Sequence, residues 1–234
     1  MISHLEMAGR NLASRLPAQV AWWMSRGSGL VLDWLHKVDT GPGVPAGNPD
    51  KAGTDLGTPY SYDPAPWRTL SRSLRLASLE AERFTFVDIG CGKGRILLSA
   101  LALPFRRIVG VEFSPVLCRI AEKNVASARF IPRRCSSIQV ICSDAIKYPI
   151  PQEPMILFFY NPFPFNIMET VLSNIVGSYS EHPRPIFLIF YASSSMVLPV
   201  SEFLPTKSGG RARLRVSSVL GQRSINIFEL PHCQ

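Results

Sequence analysis

Residues 86–95 read Phe86-Val87-Asp88-Ile89-Gly90-Cys91-Gly92-Lys93-Gly94-Arg95, and this stretch decides the fold. An apolar strand-like run enters three glycines in five positions, and Ile96-Leu97-Leu98-Ser99-Ala100-Leu101 follows as the start of a helix. Glycine lets the backbone turn sharply and approach a ligand with no Cβ in the way. The helix start behind it offers unpaired N–H groups. A loop of this kind, at the carboxyl end of a strand, suits a nucleotide-containing cofactor.

Working outward, strands alternate with helices. The apolar runs predict strands near 84–90, 107–112, 137–143, 155–161, 185–192, 212–220 and 224–230. Helices are expected at 67–81, 93–103, 115–127 and 165–178, with a shorter one at 195–203. Such alternation implies a parallel sheet covered on both faces, an α/β doubly wound fold. Only Gly221-Gln222-Arg223 separates the last two strands, too short for a parallel crossover. They must form a hairpin, which leaves six strands parallel and the seventh antiparallel. Upstream, residues 1–38 carry Leu12, Leu16, Val20, Trp23 and Met24 at helical spacing and are expected to form a helical N-terminal arm. Residues 39–59 are a Gly/Pro-rich linker, and 60–234 the main domain.

Composition narrows the class. Hydrophobic residues make up 46% of the 234 and charged residues 18%, so the chain can bury a core without disulfides. The five cysteines have no C-x-x-C spacing and the four histidines are scattered, so a metal centre is not expected and a reducing cytoplasm fits. No apolar run approaches the ~20 residues of a membrane span, and no secretory signal is expected. The net charge of +8 favours anionic partners.

Charge also chooses between cofactors. A dinucleotide loop would continue G-x-G-x-x-G, with Gly or Ala at position 95, where this chain has Arg95. Asp88 stands two residues before the first glycine. Its carboxylate would repel a pyrophosphate and attract the sulfonium and ammonium of S-adenosylmethionine.

On these residues the chain resembles the class I, seven-strand S-adenosylmethionine-dependent methyltransferases over about residues 60–230. More distantly, it resembles the seven-strand protein lysine methyltransferases. The resemblance implies a strand order of 3-2-1-4-5-7-6. It implies that Asp88, Gly90, Cys91, Gly92 and Gly94 cradle the cofactor. Glu112, at the end of the second strand, would accept the ribose hydroxyls, and Phe113 would pack on the adenine. Asp144 would accept from the adenine amine while the Ala145 N–H reaches the ring. In amino-group methyltransferases the fourth strand ends in D/N-P-P-Y/F. Here that turn is shortened to Asn161-Pro162-Phe163. The resemblance assigns these three to the acceptor side, with Asn161 also beside the cofactor.

Two further segments carry alternatives. Tyr60, Tyr62 and Trp67 either close over the pocket or anchor their loop. Lys207, Arg211, Arg213, Arg215 and Arg223 form either a solvated edge or a docking patch for nucleic acid or acidic protein. Residues 1–38 either pack on the main domain or meet a membrane or a partner. The expected activity is methyl transfer to a nitrogen of a macromolecule, a protein lysine before a nucleobase. The rivals are a small-molecule methyltransferase, a cofactor-binding scaffold without catalysis, and a nicotinamide-dependent oxidoreductase.

Overall fold

The computed structural model describes residue 29 and residues 31–42, 63–160 and 163–232. The expected helix around residues 12–24, most of the linker, Tyr60, Tyr62, Asn161 and Pro162 lie outside the described residues.

The elements are α1 (Thr69–Leu76), β1 (Thr85–Ile89), α2 (Arg95–Leu101), β2 (Arg107–Glu112), α3 (Pro115–Ser127), β3 (Ile138–Cys142), β4 (Met155–Phe159), α4 (Phe165–Glu181), β5 (Ile186–Ala192), α5 (Ser194–Lys207), β6 (Arg213–Leu220) and β7 (Arg223–Leu230). They build one seven-stranded sheet in the order β3-β2-β1-β4-β5-β7-β6, as the resemblance implied. Strand β7 runs antiparallel to both β5 and β6. Gly221 turns the hairpin at φ +65°, a positive φ at the first loop position such as the favoured two-residue hairpin turns require.

Strands β1, β4 and β5 are buried along their whole length, because helices cover both faces. Alternate residues therefore feed two cores. Phe86, Phe158, Ile189 and Tyr191 face one cluster, together with Leu70 of α1 and Leu97 of α2. Val87, Ile89, Leu157, Phe159 and Phe190 face the other, with Leu172 and Ile175 of α4 and Val200 of α5. Phe159 stacks on Phe190 at 4.7 Å, and Phe228 meets Phe190 edge-on at 5.9 Å. Such pairs contribute ~0.5–1.5 kcal/mol each beyond the area they bury.

Several helix bounds differ from the expectation. Helix α1 is shorter than 67–81: Ser78, at φ +52°, turns the chain out of the helix. Helix α5 reaches Lys207, well past residue 203, with Pro199 and Pro205 inside it.

Part of the supposed arm and linker is built into the domain. Residues 31–36 are helical, and residues 37–42 continue as a strap across α2 and α3. Asp33 and Thr40 are buried, as are Lys93 and Arg95. The Arg95 guanidinium donates from Nε to the Thr40 hydroxyl (2.7 Å) and from Nη2 to the Thr40 carbonyl (2.9 Å), and it pairs with Asp33 at 3.5 Å. The Thr40 hydroxyl donates to Asp33 at 2.6 Å. Lys93 Nζ donates to Asp39 at 3.0 Å. Asn124 of α3 donates to the carbonyls of Asp39 (2.7 Å) and Lys93 (2.9 Å). A boundary between residues 38 and 39 therefore cuts through a buried polar network.

Candidate active site

Gly90, Gly92 and Gly94 adopt φ of +80°, +54° and +82°, so the loop after β1 needs its glycines. The Gly90 and Cys91 N–H groups donate to the Val111 carbonyl at 2.8 and 3.0 Å, which ties the loop to the end of β2. A Cβ at Gly94 would lie 3.2 Å from that of Ala121, so this glycine also allows α2 to approach α3.

One glycine of this site carries no signal in the motif. Gly110 lies opposite Asp88 in the β1–β2 register. A Cβ there would sit 2.6 Å from Leu97 Cδ1 and 2.8 Å from Cys91 Sγ. The bare backbone at 110 is thus what lets the loop and α2 settle on the sheet. It also places the Cys91 side chain: the thiol is buried against Gly110, and burial pushes its pKa well up.

Asp88 is on the same side of β1 as Phe86, beneath the glycine loop, and only 3% exposed. Among the described residues no donor is hydrogen-bonded to it. Its pKa is pushed up to about 8, chiefly by burial and secondarily by the neighbouring Glu112 charge. Glu112 is partly buried and also raised by burial, an effect opposed by backbone N–H donors from Ser114, Gly92 and Phe113. Its Oε2 accepts from Gly92 and its Oε1 from Ser114, both at 2.9 Å. Glu112 thus bridges the glycine loop to the start of α3. Below it, the Cys118 and Cys142 thiols point at the Glu112 and Phe113 carbonyls, at 3.3 and 3.9 Å.

The remaining expected residues are placed less uniformly. Phe113 is 58% exposed, so it is not a core residue. Asp144 caps a short 3-10 turn, Ala145–Lys147, its Oδ1 accepting from the Ile146 N–H at 2.9 Å. Ala145 is partly buried beside it, against the second core. Phe163 packs on that same core, near α4. Trp67 lies against His36 (5.5 Å) and under the Arg95 guanidinium (5.8 Å), so it packs beneath the strap, a place neither alternative gave it.

Arg223 corrects the reading of the basic hairpin. Arg213 and Arg215 reach back to Glu229, whereas Arg223 turns inward at the start of β7. Its guanidinium lies 4.6 Å over the Tyr160 ring and 5.8 Å over that of Tyr191, and it pairs with Asp63 at 3.1 Å. The Tyr160 hydroxyl donates to the same Asp63 oxygen at 3.0 Å, and the two tyrosine rings stack at 5.4 Å. Tyr160 immediately precedes Asn161, so this cluster borders the expected acceptor turn at the carboxyl ends of β4 and β5. The sequence signal for it was the pair of tyrosines, one ending each strand.

The arrangement fits a cationic ligand. A buried carboxylate with no protein donor is stable only when protonated or when a cation arrives. The cations nearest in sequence, Lys93 and Arg95, are committed to the strap. A pyrophosphate would meet Asp88 and Glu112 as like charges. Residues 86–177 match the family described as a methyltransferase domain. The seven-stranded sheet around that match has the strand order of the class I methyltransferase fold. No curated protein matches the chain. Among solved structures the domain is similar to an RNA methyltransferase from Salinibacter ruber in complex with S-adenosylhomocysteine, at 20% identity and a TM-score of 0.52 over 74% of this chain and 96% of that one. It is also similar to the putative methyltransferase yhhF from Escherichia coli, at 17% identity and a TM-score of 0.53 over 74% and 89%. A third is a magnesium protoporphyrin IX methyltransferase from Synechocystis with bound S-adenosylmethionine, at 11% identity and a TM-score of 0.52 over 70% and 79%. At these identities the likeness establishes the methyltransferase fold.

Proposed function

We propose that the domain methylates a nitrogen of a macromolecule, with a protein lysine preferred over a nucleobase. The observation that carries this reading is the cluster at the ends of β4 and β5. There, two stacked tyrosine rings and the Asp63 carboxylate hold a guanidinium. Aromatic faces beside a carboxylate are surroundings that receive cationic side chains.

Asp88 would hold the cofactor's ammonium and Glu112 its ribose hydroxyls, through the lone pairs that Gly92 and Ser114 leave available. Gly90, Cys91, Gly92 and Gly94 would offer backbone. Phe113 would cover the adenine, with Asp144 and Ala145 at its edge. When bound, S-adenosylmethionine supplies a methyl group on a sulfonium, whose leaving group needs no activation. The protein's work is positioning, because an acceptor lone pair must stand in line at roughly 3–3.5 Å. Asn161 and Pro162 would accept hydrogen bonds from the acceptor amine and aim its lone pair, and Phe163 would flank it. A lysine must first lose a proton, and its reference pKa is about 10.4. Desolvation favours the neutral amine.

A nucleobase is the second reading. It is favoured by the net charge of +8 and by the exposed Arg211, Arg213 and Arg215 on the outer hairpin. Purified protein incubated with methyl-labelled cofactor and cell extract separates the two. Label lost to protease supports a protein acceptor, and label lost to nuclease overturns it. Asn161→Ala should abolish transfer while weakening cofactor binding far less, since its cofactor contact is only one of several, and loss of transfer with binding retained also excludes a non-catalytic scaffold.

A further inference from the structure

Among the described residues, nothing covers one apolar face of the strap. Trp34 is 80% exposed, Val31 62% and Leu35 44%. Their spacing puts them on one side of the helical segment at 31–36. Phe130, in the loop after α3, is 76% exposed beside them, and a shallow groove lined by Trp34, Leu35, Lys37 and Phe130 joins the two segments. The juxtaposition is held in place. The Arg129 N–H donates to the His36 carbonyl at 3.0 Å, and His36 Nδ1 meets the Arg129 carbonyl at 2.8 Å. The strap itself is anchored through Asp33 and Thr40 to Arg95. Phe130 has φ +58°, a conformation that is a genuine outlier for a bulky residue. A large aromatic is thus held in an unfavourable backbone state and presented to solvent. Exposed apolar groups that form one patch mark an interaction surface.

Charge identifies the partner. Lys37 and Arg129 are exposed within this patch. The carboxylates of its own segment, Asp33 and Asp39, are engaged by Arg95 and Lys93. The field over the patch is therefore positive. Two of its four apolar side chains are aliphatic, and aliphatic groups give no stacking platform for nucleobases. Aromatic and aliphatic side chains flanked by Lys and Arg are the composition of a surface that seats in the headgroup region of a bilayer. Among the described residues no helix is long and apolar enough to cross a membrane.

We infer that Val31, Trp34, Leu35 and Phe130, with Lys37 and Arg129, dock this chain on an anionic lipid surface. The inference does not depend on the identity of the methyl acceptor. The test is co-sedimentation of the full chain with phosphatidylserine–phosphatidylcholine vesicles and with phosphatidylcholine alone. Affinity should be higher for the anionic vesicles and fall as salt is raised. The double variant Trp34→Glu/Phe130→Glu should bind at least about tenfold more weakly, since each aromatic contributes several-fold or more on burial. Lys37→Glu should act in the same direction. Val219→Glu, at an exposed apolar position on the outer hairpin, should leave vesicle binding unchanged. Circular dichroism and binding of S-adenosylhomocysteine check that each variant is folded. Equal binding to both vesicles, or retention by a folded double variant, overturns the proposal. So does a loss of affinity for structured RNA in the double variant with vesicle binding unchanged.

Discussion

Asp88 should make cofactor affinity depend on pH, and Asp88→Asn should remove that dependence. Without a ligand the carboxyl group is pushed up to about 8 by burial and by Glu112. At pH 6 it is protonated, and a cationic ligand must displace that proton. If the bound carboxylate titrates well below 6, affinity follows the ionised fraction of the free protein. That fraction rises from roughly 1% at pH 6 to half at pH 8, so affinity should rise about fifty-fold. This corresponds to ~2 kcal/mol. The assay is calorimetric titration with S-adenosylmethionine across this range, in buffers of differing ionisation enthalpy so that proton release is counted. The ligand's own α-amino group, with a reference pKa near 8, titrates identically against both proteins. The difference between wild type and Asp88→Asn therefore belongs to Asp88. Parallel curves for the two proteins would refute the reasoning. So would wild-type binding that releases no more protons than Asp88→Asn does.

Stability should carry the opposite sign. A carboxyl raised from 3.8 stabilises the fold fully below that value and loses the contribution as pH climbs through 8. Between pH 6 and 8, ligand-free wild type should therefore lose about 2 kcal/mol relative to Asp88→Asn, read by denaturant titration. Gly110→Ala should destabilise by ~1–3 kcal/mol, because its Cβ meets Leu97 and Cys91 inside packed structure, and a thermal melt would register it. Asp33→Ala leaves the buried Arg95 without its carboxylate and should cost ~3–5 kcal/mol, while the strap gains protease cleavage around Thr40. Arg223→Ala should reduce transfer at least about tenfold while leaving the cofactor's Kd within twofold, since it borders the acceptor end and touches no cradle residue.

Two kinds of information were legible in the chain. The glycines at 90, 92 and 94, the apolar run before them and the short link at 221–223 are local, and backbone sterics and chain reach act on neighbours in sequence. They determined the cofactor loop, the layered sheet and the antiparallel last strand. The carboxylate beneath the loop was likewise readable, because Asp88 stands within a few residues of the glycines. What only the tertiary structure decided are meetings across long separations. Lys93 and Arg95 sit inside the motif yet serve the strap, and that follows from Asp33, Asp39 and Thr40 being folded onto them from fifty to sixty residues away. Gly110 matters because Leu97 and Cys91 lean over it. Arg223 left the surface patch to which its sequence neighbours assigned it, because Asp63 and two tyrosines from other strands converge there. Local pattern records which conformations a segment tolerates. Which charges are buried together, and which apolar groups remain outside, is settled only when distant segments compete for the same space.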